Sequence, residues 1–236
     1  MQEFLIGTGI VVLYFIIAAS TAFLCRVLIK IPQEVFRKAL HCILLGSYVP
    51  FVFGFVTWWK AVLTAVLFAI VVYPILVFFE RFKNYTEVTT ERKKGEFKSS
   101  LLLAFSMLAI AMSICWGWLD DKYLVLASMY AWGIGDAFAA LVGKRFGKHK
   151  IRLKYADNRK SVEGTLAMFL TSLATVMIVL LCRGGLSIAG YIVIPVITAA
   201  VSATVELYTP GGMDTVTCPT AAMVVILPMV QLFGGI

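Results

Sequence analysis

Residues 61–79 read Ala-Val-Leu-Thr-Ala-Val-Leu-Phe-Ala-Ile-Val-Val-Tyr-Pro-Ile-Leu-Val-Phe-Phe, nineteen positions without a charge. About 20 apolar residues in a helix cross the hydrocarbon core of a bilayer, so this run is a transmembrane helix. The apolar residues are continuous and do not alternate, which argues against a barrel strand. Working outward, seven more runs of the same kind fall at 4–25, 39–56, 101–118, 124–142, 164–182, 188–205 and 216–233. Charged or turn residues bound each of them. The first run is too long for a signal-peptide core and no base precedes it, so it is expected to remain in the mature protein. The composition agrees: 61% of the 236 residues are hydrophobic and 14% charged, against about a quarter charged in a soluble domain. The expected fold is an all-α polytopic bundle of about eight transmembrane helices. It forms one domain over 1–236, with no separate soluble catalyst.

The bases give the orientation. All but three of the 21 lie in the odd connections, the exceptions being Lys60, Lys122 and Arg183. The positive-inside rule then places connections at about 26–38, 80–100, 143–163 and 206–215 in the cytosol and both termini outside. The last of these is acidic and is placed there only by alternation. A net charge of +8 is met by anionic headgroups beside these connections, and no basic module carries interleaved aromatics, so nucleic acid is not an expected partner. The five cysteines fall in or at the edges of spans without a Cys-x-x-Cys pair and read as packing residues. Two histidines leave a zinc or haem centre almost without ligands.

Polar groups within spans are costly and therefore informative. Three clusters stand out. The fifth span ends in Gly133-Ile-Gly135-Asp136-Ala-Phe-Ala-Ala-Leu-Val-Gly143-Lys144-Arg-Phe-Gly147-Lys148, an acid about two turns inside the helix among small residues. A connection with eight bases follows and closes with Lys160-Ser161-Val-Glu163-Gly164. Cations and helix-start amides beside a carboxylate suit a nucleotide triphosphate and its metal. Headgroup anchoring of the bases, glycine packing, and Ser161 as the N-cap of the sixth helix are the structural alternatives. The second cluster, Arg37-Lys38-Ala-Leu-His41, puts two cations and an imidazole on one helical face, a phosphate site with His41 as a possible base. The third sets Glu206 and Asp214 on either side of Gly211-Gly212 with no base between them. It reads either as a divalent-cation site or as a solvated turn with Asp214 or Thr215 capping the last helix. On the topology above, all three clusters face the cytosol and can form one site.

In this order the three clusters resemble the dolichol kinase and phytol kinase family, polytopic enzymes that phosphorylate lipid alcohols with CTP or a related pyrimidine nucleotide. The resemblance runs from about Arg37 to Pro219. The wider superfamily includes the phosphatidate cytidylyltransferases, but the Lys-Asp and His-Gly-Gly signatures expected of them are missing after Arg183. Gly212-Met-Asp214-Thr215-Val-Thr-Cys-Pro219 is similar to the kinases' C-terminal turn, with Thr215 where Asn is usual. The resemblance implies CTP as co-substrate, Mg²⁺ or another divalent cation as cofactor, and a polyprenol, phytol-like isoprenoid or diacylglycerol as the membrane acceptor. It implies Asp136, Glu206 and Asp214 as metal ligands. Lys144, Lys148 and Lys160 would neutralise phosphates with Arg37 and Lys38, and Gly135, Gly143, Gly147, Ser161 and Gly164 would line the nucleotide. Glu163 would orient Lys160, and Asp136 and His41 are the candidate bases. A CDP-lipid-forming cytidylyltransferase and a lipid transporter without catalysis are the alternatives. Homo-oligomerisation is compatible with the sequence.

Overall fold

A computed structural model describes residues 1–29, 31–81, 95–151, 160–209 and 212–234. Among these residues the chain forms α1 (Gln2–Leu28), α2 (Gln33–Gly46), α3 (Tyr48–Phe53), α4 (Trp58–Phe79), α5 (Glu96–Ala111) and a π-helical segment (Met112–Trp118). There follow α6 (Lys122–Phe146), α7 (Val162–Arg183), α8 (Ile188–Tyr208) and α9 (Asp214–Leu232). They make eight helical stretches long and apolar enough to cross a membrane, with α2 and α3 together as one and α5 with the π segment as another. The expected all-α polytopic architecture is what the chain adopts. Within the connections given above, Lys30, Lys83, Glu87, Glu91, Arg92, Lys93, Lys94, Arg152, Lys154, Asp157, Arg159 and Gly211 lie outside the described residues.

Helices run past the hydropathy boundaries. α2 begins at Gln33 and α6 continues to Phe146, because Arg, Lys and Glu are good helix formers and charge alone does not end a helix. Arg37, Lys38 and Lys144 are therefore helical. Pro74, Pro195, Pro219 and Pro228 all lie inside helices, as membrane helices tolerate.

The contacts form two compact units, Met1–Ser113 and Ile114–Ile236. In the first, α1 packs on α2, α3 and α4, and α4 on α5. Phe15 stacks on Phe68 with centroids 4.6 Å apart, and Phe105 closes the cluster against Phe51. The Tyr14 hydroxyl donates to the Ile43 carbonyl at 2.7 Å. Glu3 accepts the Val56 and Thr57 amides at 2.9 Å each and pairs with Lys60. The most hydrophobic window of α1 is only 6% buried, so its apolar surface is left for lipid.

In the second unit α6 is the central helix. Its span is 61% buried, and it packs most extensively on α7 and then on α9, while α8 lies against α7 and α9. Apolar burial gives little drive inside a lipid phase, so close backbone approach has to hold the helices. A methyl group at Gly135 would lie 2.6 Å from the Ser172 hydroxyl oxygen, and one at Gly143 would lie 3.5 Å from the Gly164 Cα. Ser172 donates to the Ala131 carbonyl across the same α6–α7 seam.

Contacts at both ends make neighbouring helices of this unit antiparallel: Val162 to His149 and Thr209 to Thr217 at one end, Arg183 to Asp121 and Ser187 to Phe233 at the other. The C-terminal ends of α6 and α8 and the N-terminal ends of α7 and α9 share one end, the one with the basic connection. At the other end Asp121 caps α6 through the Tyr123 and Leu124 amides and pairs with Arg183 at the end of α7. Lys122 there lies 4.2 Å from the Trp116 ring centroid. Each base outside the odd connections is thus engaged: Lys60 by Glu3, Lys122 by Trp116 and Arg183 by Asp121.

Candidate functional site

The basic end of the second unit collects most of the candidate residues. Glu206 sits two residues before the end of α8 and is 8% exposed. Its carboxylate Oε1 is 2.7 Å from Lys160 Nζ, and the same ammonium donates to the Glu206 main-chain carbonyl. That carbonyl belongs to the last turn of α8, whose acceptors have no partner within the helix and carry the negative end of the dipole. The last turn of α8 contains no base of its own. Lys160, 46 residues earlier in the chain, supplies the missing cation.

Asp136 and Asp214 both lie within electrostatic reach of Glu206. Asp136 is half-buried and sits ten residues before the end of α6, about 15 Å along the axis. Asp214 is the first residue of α9, with Met213 as its N-cap and no side-chain cap. The cap reading of Asp214 and Thr215 is therefore replaced by a carboxylate in the first turn, where the helix dipole favours it. The Thr209 and Thr217 hydroxyls, 2.9 Å apart, link the end of α8 to the first turns of α9. Thr215 is 6% exposed.

The strand-like approach to α7 is equally specific. Lys150 and Ser161 form an isolated antiparallel bridge, with Ile151 donating to the Lys160 carbonyl at 3.1 Å and Val162 to that of His149 at 3.0 Å. These bonds tie the two ends of the basic connection together and fix where Lys160 emerges. Ser161 is the N-cap of α7, its Oγ accepting from Gly164 at 3.2 Å. Gly143, Gly147 and Gly164 converge on that Oγ. A methyl group at any of them would come within 3.2 Å of it, and one at Gly147 would be 2.2 Å from the Gly143 carbonyl oxygen. Capping and close crossing thus account for Ser161 and these glycines in the structure, and Gly135 belongs to the same seam.

Glu163 has a different partner from the one expected. It accepts the Lys148 and His149 amides at 3.2 Å each and meets His149 Nδ1 at 2.7 Å. It positions the end of α6 relative to α7, while Glu206 holds Lys160. Lys144 and Lys148 are exposed on this end.

In the first unit, Lys38 is 5% exposed and His41 is half-buried. Arg37 pairs with Glu34 and stands 3.9 Å from Glu96 Oε1. All three lie on α2.

Two features escaped the sequence reading. His149 is one, and only its fold-dependent neighbour Glu163 marks it. The other is a polar stripe on α8: Thr198, Ser202 and Glu206, each four residues from the next and all buried. Thr204 and Thr209 turn their hydroxyls to carbonyls four residues back, at 2.7 Å each. The Thr198 and Ser202 hydroxyls have no hydrogen-bond partner among the described residues. The four-residue spacing was a signal available in the sequence.

Among the described residues, no three His, Cys, Asp or Glu side chains are gathered closely enough to cage a metal alone. Mg²⁺ does not require this. It keeps water and uses one or two carboxylates together with substrate phosphates. Glu206, with Asp136 and Asp214 within electrostatic reach, supplies carboxylates of that kind.

Part of the chain is similar to a phytol kinase from a Synechocystis species, at 36% identity over 95 residues, which is 40% of this chain and 39% of that protein. The chain thus matches well under half the length of that relative. No family model matches the chain, and no solved structure does.

Proposed function

We propose that the protein is a CTP-dependent kinase that transfers a phosphoryl group to the hydroxyl of a membrane lipid alcohol. One observation carries the reading: at the basic end of a transmembrane helix bundle Lys160 is paired with the buried Glu206, with Asp136 and Asp214 within electrostatic reach of it. Similarity to a phytol kinase supports it. Such a site needs no soluble domain, because the nucleotide comes from the aqueous phase and the acceptor is already in the membrane.

Phosphoryl transfer asks the protein chiefly for positioning and charge stabilisation. Glu206 and Asp214, with Asp136 close by, are the carboxylates that would hold Mg²⁺, which would supply charge neutralisation for the phosphate oxygens. Lys160, Lys144 and Lys148 are the cations of this end that engage phosphate oxygens. The lipid hydroxyl oxygen bonds to the γ-phosphorus as the bond from that phosphorus to the β-bridging oxygen breaks, leaving CDP. The hydroxyl proton passes to a carboxylate, and Asp136, the deepest of the three acids, is best placed for a hydroxyl arriving from the bilayer. The apolar chain stays among the helices. The basic end faces the cytosol in this account.

The test is a product analysis. Purified protein in vesicles is given phytol, farnesol, a longer polyprenol or diacylglycerol with CTP, UTP or ATP, and the lipids are examined by mass spectrometry. A lipid monophosphate formed best with CTP is expected. A CDP-lipid, or no nucleotide-dependent product from any acceptor, would overturn the reading.

A further inference from the structure

We infer that Lys160 is a built-in stand-in for the metal: it occupies the cation site at the C-terminal end of α8, so a divalent ion enters only with a nucleotide that draws the lysine away. The inference rests on the kinase reading above and adds an order of binding to it.

Three observations support it. The ammonium is bound twice at one place, by the Glu206 carboxylate at 2.7 Å and by the main-chain carbonyl of the same residue. Both are hard oxygen donors, of the kind that bind Mg²⁺ or Ca²⁺. The surroundings favour a cation, because Asp136 and Asp214 add negative potential around Glu206 and the α8 terminus adds its dipole. Finally, the pair is largely shielded, with the lysine side chain 18% exposed and the glutamate 11%. In such a place the attraction between ammonium and carboxylate is weakly screened.

A free divalent ion must displace the lysine and leave its charge unpaired in a sheltered site, which costs more than the ion gains. A nucleotide changes the balance. Its phosphate oxygens offer the ammonium a new partner while the metal brings the same phosphates to Glu206. Two ion pairs replace one and no charge is stranded. The ties between residues 149–151 and 160–162 hold the backbone of Lys160 in place, so only its flexible side chain has to swing.

The experiment measures Mn²⁺ binding by electron paramagnetic resonance on the full chain in nanodiscs, with and without CTP. Lys160→Met should bind Mn²⁺ without nucleotide about tenfold or more tightly than wild type, and adding Glu206→Gln should abolish the gain. Lys160→Arg, which keeps the cation, should remain as weak as wild type, and wild type should bind Mn²⁺ tightly only when CTP is present. If Lys160→Met is not folded by gel filtration, Lys160→Gln serves in its place. Equal Mn²⁺ affinity of wild type and the neutral variant without CTP would overturn the inference. The kinase reading fails separately: a wild type that makes no lipid phosphate, while the neutral variant still gains Mn²⁺, refutes the reaction and keeps the lysine in the cation site.

Discussion

Glu206 shows how much one residue holds together here. Its carboxylate neutralises Lys160, and its carbonyl ends a helix on the same ammonium. Glu206→Gln should therefore lower stability by about 1.5–3 kcal/mol, the range for a hydrogen bond to a charged group, read as a reduced midpoint of thermal unfolding in detergent. An unchanged midpoint would mean that the pair contributes nothing to the fold. Asp136→Asn separates chemistry from stability. Phosphoryl transfer should fall by about 10²-fold or more with the unfolding midpoint close to wild type, and retention of full transfer would remove Asp136 from the site. Asp136 was legible in the sequence because a carboxylate inside a span is expensive, and Glu206 because it and Asp214 flank a glycine turn with no base between them. The partner of Lys160 was not. Glu163, three residues away, was the local choice, and the actual partner becomes adjacent only when α7 and α8 pack.

At the scale of elements, the glycines divide by what surrounds them. Gly147→Ala would drive a methyl group to 2.2 Å from a backbone oxygen, which cannot rotate away. The expected cost is about 1–3 kcal/mol, with the basic connection loosened. Gly9 on α1 has nothing within 4 Å of an added methyl. Gly9→Ala should be neutral or stabilise by up to about 1 kcal/mol, and the two unfolding midpoints compared side by side check the distinction. Ser161→Ala should cost about 1 kcal/mol through loss of the N-cap. Sequence reading placed these glycines and Ser161 near one another but left ligand binding and packing open, because both call for small residues. The structure accounts for them by packing and capping. The polar stripe of Thr198, Ser202 and Glu206 went unread: its four-residue spacing stood in the sequence, but its burial appears only in the fold.

At the scale of the whole molecule, hydropathy set the eight spans to within a few residues, since a bilayer imposes both the length and the polarity of whatever crosses it. It could not set the helix ends, where charged residues such as Arg37 and Lys144 continue the helix. The orientation has its own test. With the native cysteines replaced, Lys60→Cys should react with an impermeant maleimide on intact cells and Lys148→Cys only after lysis. The reverse pattern would put the basic end outside and away from nucleotide. The reaction itself is tested most directly by supplying the reconstituted protein and a lipid alcohol with CTP labelled at either the α- or the γ-phosphorus. Label entering the lipid from the γ position alone is the predicted result; label entering from the α position, or from neither, would contradict it.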